Sequence, residues 1–279
     1  MILENIVKQA SNMLKNENVI SHELDSQIIL SDIMRVTKEF LITNDQINIS
    51  EKIRKKYDRA IQRRISKEPV AYIIGMKEFW SRNFVVNKST LIPRPETELL
   101  IYEIVKFVKN RRINILDIGT GSGCILLSIL KELNYSRGIG IDISKGAIKT
   151  AKINSKKLNL MHRSKFKVVD ISKFNLGKYD LIVSNPPYIP TREMRNLSKD
   201  ITNYEPMIAL NGGKDGLDLI KKVIYKSLKL LKKNGLLAIE IGNQQYLRVS
   251  GLLCQNGFRE ICKKYDYNEN VRCIISTKM

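Results

Sequence analysis

Between Ile113 and Ile241 the sequence alternates short apolar runs with stretches of helical periodicity, and few architectures satisfy that order. The apolar runs are Ile113 to Ile118, Gly138 to Asp142, Lys167 to Asp170, Leu181 to Ser184 and Leu236 to Ile241. Helices are predicted after Gly123, from about Lys145, and from Gly216 to Lys233. This alternation predicts an α/β fold built on a doubly wound, mostly parallel sheet. The tail, Gly257 to Lys278, holds two more strand-like runs joined by a polar turn, expected to pair as an antiparallel edge hairpin.

Upstream the period changes. Ile2, Leu3, Ile6, Val7, Ala10, Met13 and Leu14 recur at helical spacing, and so do Ile53, Tyr57, Ala60, Ile61 and Ile65 behind Ser50 as N-cap. With Leu24, Ile28, Ile29 and Ile33 between them, these segments predict a small helical bundle. From Val70 aromatic and β-branched residues around Arg82-Asn83 suggest a β-hairpin linker, after which Pro95 can open a helix through Lys109. The expected organisation is a helical domain over 1–72, a linker over 73–94 and the α/β domain over 95–279.

The chain has 279 residues, 43% hydrophobic and 27% charged, which is ordinary for a soluble globular protein. No run approaches the about 18 apolar residues of a membrane span. The start lacks a basic leader with a cleavage site, so a cytoplasmic protein with no membrane association is expected. Cys124, Cys254, Cys262 and Cys273 show no CxxC spacing, and His22 and His162 are the only histidines. That inventory argues against a zinc site, a disulfide framework or a histidine base, and no metal is expected. The net charge of +20 fits an anionic partner such as nucleic acid or the ribosome, and equally a lysine-rich composition. The basic residues are densest at Arg54-Lys55-Lys56, Arg59, Arg63-Arg64 and Lys67, within a helix over 51–67.

Two motifs carry chemistry. In "ILDIGTGSGC" an apolar strand runs into Asp117 and then glycines at 119, 121 and 123, where a missing Cβ permits a sharp turn and close approach to a ligand. The spacing is GxGxG, unlike the GxGxxG of dinucleotide sites, and the loop has no lysine for a triphosphate. Asp142, ending "GIGID", is placed to accept hydrogen bonds from a ribose diol. S-adenosyl-L-methionine fits this set: its amino group suits Asp117, its carboxylate suits the loop amides, and its ribose suits Asp142. Gly119, Thr120, Gly121, Ser122 and Gly123 form the expected cradle, which resembles the cofactor half of class I methyltransferases.

The second motif is Asn185-Pro186-Pro187-Tyr188, directly after the apolar strand Leu181 to Ser184. Proline cannot continue a ladder and restricts its neighbour, so the loop is stiff. A planar amide or exocyclic amine is a poor nucleophile and too weak an acid for a side-chain base; it must be positioned and polarised. The Asn185 oxygen and the Pro186 carbonyl can accept from such an NH2 group, and Tyr188 offers a π face. This motif alone does not separate adenine from glutamine.

Nearly the whole chain resembles the release-factor glutamine methyltransferases of HemK/PrmC type. The resemblance rests on "EPVAYIIGMKEFW" (68–80), "TLIPRPETE" (90–98), "ILDIGTGSG", "NPPYI" and "YEPMIALNGGKDGLD" (204–218). It implies a class I (Rossmann-like) sheet and methyl transfer from S-adenosyl-L-methionine, leaving S-adenosyl-L-homocysteine. The implied acceptor is the side-chain amide nitrogen (N5) of the glutamine in the Gly-Gly-Gln motif of peptide chain release factors. It also implies release-factor recognition by the helical domain, cofactor contacts reaching Asp170, Ile171 and Asn185, and a glutamine pocket of Asn185, Pro186, Pro187 and Tyr188 shaped by Arg94 and Glu96. A monomer is expected. Some relatives carry tryptophan where this chain has Ile171, so that contact becomes apolar, and "KYDYNENVR" is less typical of the family. The main rival is an adenine N6 methyltransferase acting on DNA or RNA, which would need a target-recognition region to read a flipped base. The short stretch between Tyr188 and Gly212-Gly213 leaves no room for one. A cofactor-binding ribosome or assembly factor without turnover would have no need for both motifs.

Overall fold

A computed structural model describes residues 2–108 and 111–279. Its chain divides into two compact units: one takes the chain up to Met76 together with Ser198–Tyr204, and the other takes Lys77–Leu197 and Glu205–Met279.

The first unit contains α1 (Leu3–Asn16), α2 (His22–Met34), α3 (Lys38–Thr43), α4 (Glu51–Ile65) and α5 (Val70–Ile74). Ser50 caps α4 by accepting from Ile53 N. Leu3, Ile6, Ala10 and Leu14 meet Ile29, Leu30, Tyr57 and Ile61 in one buried cluster. The run Val70–Ile74, read as the start of the hairpin region, is instead a short helix stopped by Gly75 at φ 76°. Several basic residues of α4 and the turn after it are paired within this unit. Arg64 is buried and pairs with Asp25 at 2.7 Å and Asp200 at 3.4 Å. Arg63 pairs with Glu68 at 2.7 Å, Arg54 with Asp58 at 3.6 Å, and Lys67 donates to the Glu17 carbonyl. Lys56 and Arg59 are exposed.

At the start of the second unit lies the hairpin β1 (Met76–Phe79, its first residue counted with the first unit) and β2 (Arg82–Val85), whose turn residues Trp80 and Ser81 both take positive φ, at 51° and 53°. Pro95–Thr97 form one 3-10 turn leading into α6 (Glu98–Val108); the expected end of that helix at Lys109 lies outside the described residues. Then follow β3 (Asn114–Ile118), α7 (Cys124–Glu132), β4 (Arg137–Asp142), α8 (Lys145–Lys157), β5 (Ser164–Val168) and β6 (Tyr179–Ser184). After α9 (Lys199–Tyr204), which belongs to the first unit, come α10 (Asp218–Leu230), β7 (Leu231–Glu240), α11 (Tyr246–Gln255), β8 (Phe258–Tyr265) and β9 (Val271–Lys278).

The seven-stranded sheet has the order β5-β4-β3-β6-β7-β9-β8. Pairs from β5 through β7 are parallel, and β9 pairs antiparallel with both β7 and β8, as expected from the tail. Alternate residues face opposite layers: Ile115, Leu181 and Val183 meet Leu126, Leu127 and Ile104 on one side, while Leu116, Ile182 and Leu237 meet Ile220, Val223 and Val249 on the other.

Two strands, β5 and β7, depart from their expected bounds by more than two residues. β5 is Ser164–Val168 rather than Lys167 to Asp170: it is an edge strand with lysines on its open side, so its apolar signal is weak. The helix expected to reach Lys233 ends at Leu230, and β7 starts at Leu231 with a bulge where Asn234 takes φ 61°. Among the described residues no helix is long and apolar enough to cross a membrane.

Candidate functional site

A cavity of about 540 Å³ opens at the carboxyl ends of β3, β4 and β6, where ligands of open α/β sheets bind. Gly119, Thr120, Gly121, Ser122, Asp142, Asp170, Ile171, Asn185, Pro187 and Arg94 line it, so ten of the residues singled out in the sequence meet at one place. Gly119 and Gly121 take φ 73° and 54°, and a Cβ on either would meet nothing within 4 Å. Their lack of a side chain therefore serves the turn and the open space above it. Gly123 does not line the cavity; its Cβ would meet Ala151 and Leu127 at 3.2 Å, so it serves the seating of α7.

The two acids differ. Asp142 Oδ2 accepts from Gly121 N at 3.0 Å and Oδ1 from Ser144 N at 2.9 Å, which fixes its carboxylate at the rim with lone pairs to spare. Asp117 is fully buried and is not part of the cavity wall, contrary to the expectation of a direct ligand contact. Its Oδ2 accepts from Thr120 Oγ1 at 2.6 Å, while Oδ1 has no hydrogen-bond partner. Burial pushes its carboxyl up to about 7, opposed by the Thr120 hydrogen bond. Asp117 supports the loop from behind. Asp170 is tied to Ser172 through its N–H and hydroxyl, and Ile171 is buried beside it.

The proline loop is held from several directions. Gln245 Nε2 donates to the Tyr188 carbonyl at 2.9 Å, and Ile189 exchanges backbone hydrogen bonds with Leu210 and Gly212. A Cβ at Gly216 would stand 2.4 Å from the Tyr188 carbonyl, which explains why the glycine-rich segment Asn211 to Gly216 sits beneath this loop. Pro186 is buried, and Tyr188 turns away from the first cavity toward a second, of about 1140 Å³, shared with Gln245 and Arg272.

Behind Asn185 lies a network that the sequence motifs did not announce. Asn185 Nδ2 donates to Thr97 Oγ1 at 3.1 Å, and Thr97 Oγ1 donates to Glu240 Oε2 at 2.6 Å. The Tyr188 hydroxyl lies 3.4 Å from Glu240 Oε1 and accepts from Arg272 Nη2 at 3.1 Å, with the guanidinium 5.4 Å from the ring centre. Burial raises the Tyr188 phenol to about 12, and the Glu240 charge adds to the rise. Arg94 lines the cavity, held at 2.5 Å by buried Glu205, whose other oxygen accepts from Ile92 N. Glu96, expected to shape the pocket, is exposed and off the cavity wall; its neighbour Thr97 takes that place. Glu240 had a usable signal: it ends the apolar run "LLAIE" as Asp142 ends "GIGID".

Two sequence families match the chain: the PrmC N-terminal domain over residues 5–75 and a methyltransferase domain over 109–278. A release factor glutamine methyltransferase of Clostridium acetobutylicum is 38% identical across 100% of this chain and 99% of its own length. Another from Buchnera aphidicola subsp. Schizaphis graminum is 41% identical, covering 91% of this chain and 92% of its own. Among solved structures, a methyltransferase from Pyrococcus furiosus is 17% identical with TM-score 0.53, covering 70% of this chain and 88% of its own. The ribosomal protein L11 methylase of Lactobacillus delbrueckii subsp. bulgaricus is 20% identical with TM-score 0.50, covering 67% and 81%. These two share the class I methyltransferase fold with the sheet described above. By its full-length similarity to these relatives, and with both domains in place, the chain is an enzyme belonging to the release factor glutamine methyltransferase family.

Proposed function

We propose that this protein transfers a methyl group from S-adenosylmethionine to the side-chain N5 of the glutamine in the Gly-Gly-Gln motif of peptide chain release factors. The observation that carries the reading is the Asn185 amide at the wall of the glycine-loop cavity, with its NH2 end engaged by Thr97. Its oxygen is left to accept from an incoming primary amide.

The cavity suits the cofactor. The space over Gly119 and Gly121 admits a ligand against the loop backbone, and the Asp142 carboxylate can take a ribose diol. When bound, the cofactor would supply a sulfonium methyl, an electrophile strong enough that the amide nitrogen need not be deprotonated first; the one N–H proton displaced when the N–C bond forms passes to water. The chain's own residues then do the positioning. Asn185 Oδ1 and the Pro186 carbonyl accept the two amide hydrogens, Tyr188, turned toward Glu240 and Arg272, braces the loop from behind, and Arg94 closes the wall. Orientation of this kind is worth about 7 to 11 kcal/mol when reacting atoms are aligned. The helical unit serves release-factor recognition, the hairpin segment 73–94 serves as linker to the catalytic domain over 95–279, and the enzyme acts as a cytoplasmic monomer.

The test is incubation of the purified chain with labelled S-adenosylmethionine and four acceptors: a release factor, the same factor with its Gly-Gly-Gln glutamine changed to alanine, total RNA and DNA. Label on the unaltered factor alone is expected. Label on nucleic acid would assign the clamp to adenine instead.

A further inference from the structure

The hydrogen bonds behind Asn185 have a direction, and that direction decides which end of its amide faces the acceptor. A threonine hydroxyl carries one proton. Thr97 gives that proton to Glu240 Oε2 at 2.6 Å, so toward Asn185 its oxygen can only accept, and it receives Nδ2 at 3.1 Å. Thr97 and Glu240 are both buried, whereas Asn185 is partly exposed at the cavity wall. We propose that Thr97 and Glu240 are positioning residues: an ionised Glu240 orders the Thr97 hydroxyl, which in turn holds the Asn185 amide with its oxygen toward the acceptor. As a statement about catalysis this rests on reading Asn185 as the acceptor clamp; as a statement about the Asn185 amide it stands alone.

The relay is reversible in principle. If Glu240 gains a proton it can donate to the Thr97 oxygen, and the Thr97 proton becomes available to Asn185 Oδ1. The amide then turns its NH2 end toward the acceptor, where it meets another NH2 group and cannot bind it. Five groups face Glu240: Thr97, Tyr188 and Arg272 favour its anion, Glu96 opposes it, and Cys273 lies on the adjoining strand. Burial outweighs the three favourable partners and raises the carboxyl to about 6. The sign is therefore that the relay is set above that pH and lost as pH falls through it.

The experiment uses the full-length chain and the variants Thr97→Val and Thr97→Ser, with two readouts. The first is the side-chain amide NMR signal of Asn185 in the cofactor-free protein, assigned by its loss in Asn185→Ala. In the wild type and Thr97→Ser it is expected to shift with pH with a midpoint near 6, and in Thr97→Val the shift disappears. The second is methyl transfer to a release factor at saturating S-adenosylmethionine. Thr97→Val is expected to lower kcat tenfold or more with cofactor Kd near the wild-type value, while its melting temperature falls by about a few degrees because the buried Glu240 loses a donor. Thr97→Ser restores kcat, and an acid limb near pH 6 is present in both hydroxyl-bearing proteins. An Asn185 signal that titrates unchanged in Thr97→Val overturns the relay whatever the acceptor is. The expected NMR result combined with no transfer to the release factor leaves the relay standing and removes the acceptor reading.

Discussion

The glycine loop with Asp142 and the loop of Asn185, proposed here as cofactor cradle and amide clamp, stand at the carboxyl ends of neighbouring strands, yet they are built on opposite plans. The cradle is local and open. Gly119 and Gly121 meet nothing above them, and Asp142 is fixed by amides only two and 21 residues away, with acceptor capacity left over. The clamp is assembled from distant chain and is already bonded: Asn185 reaches Thr97 88 residues away, Thr97 reaches Glu240 at 143, and Tyr188 meets Arg272 at 84. The difference teaches a division of labour. On the proposed function, groups waiting for partners would bind the cofactor, and groups already held by the protein would align the acceptor.

That division separates affinity from turnover, and substitutions can break it. The largest effect is expected from Asn185→Ala, which removes the preorganised polar group proposed to orient the acceptor. Its kcat should fall by about 100-fold to 1,000-fold while cofactor affinity by calorimetry stays near wild type. A matching loss in both would merge the two regions. Asp142→Ala should do the reverse. Losing hydrogen bonds to a charged acceptor costs about 1.5 to 3 kcal/mol, so cofactor Kd should rise by roughly tenfold to a hundredfold, with kcat at saturation little changed.

The cradle can itself be divided. Gly123→Ala forces a side chain at φ 80° against Ala151 and Leu127, and should lower stability by about 1 to 3 kcal/mol in a denaturant melt. Gly119→Ala fills only ligand space beyond its backbone strain, so cofactor binding should suffer more than in Gly123→Ala relative to the stability lost. Asp117→Asn probes the buried acid. Its carboxyl sits near 7 when folded against a usual value of 3.8, so ionising it in the folded state is unfavourable and its contribution falls as pH rises through that window. The melting temperature of Asp117→Asn minus that of the wild type should therefore grow from about zero near pH 4 to a plateau of a few degrees above about pH 7. The smallest effect belongs to Glu96→Ala. It should leave kcat at pH 8 within about twofold, and removing its charge should move the Glu240 acid limb slightly lower in pH.

The same contrast governs what could be read from the sequence. The order of strands and helices was legible because periods of 2 and 3.6 leave marks in short windows. It failed at β5, where an edge strand alternates Lys165 and Lys167 with buried residues, and at Leu231, where α10 passes into β7 without a loop and the turn residues Asn234-Gly235 form a bulge. The cavity wall of Gly119 to Ser122 was legible because these residues are contiguous. Asp117 was misjudged in its contact, since nothing local distinguishes an acid facing a cavity from one sealed beneath Thr120. Thr97 lay inside a quoted motif and Glu240 at the end of an apolar run, but their pairing exists only in three dimensions. The charge of α4 had a further use hidden from sequence, since Arg64 binds Asp25 and Asp200, 39 and 136 residues away.

The most direct measurement is fragmentation mass spectrometry of a release factor after incubation with S-adenosylmethionine and either the wild-type chain or Asn185→Ala. One methyl on the side-chain amide of the Gly-Gly-Gln glutamine, formed by the wild type and lost with Asn185→Ala, is the expected result. A methyl on any other residue, or on that glutamine at an unchanged rate with Asn185→Ala, would contradict the assignment of Asn185 as the clamp.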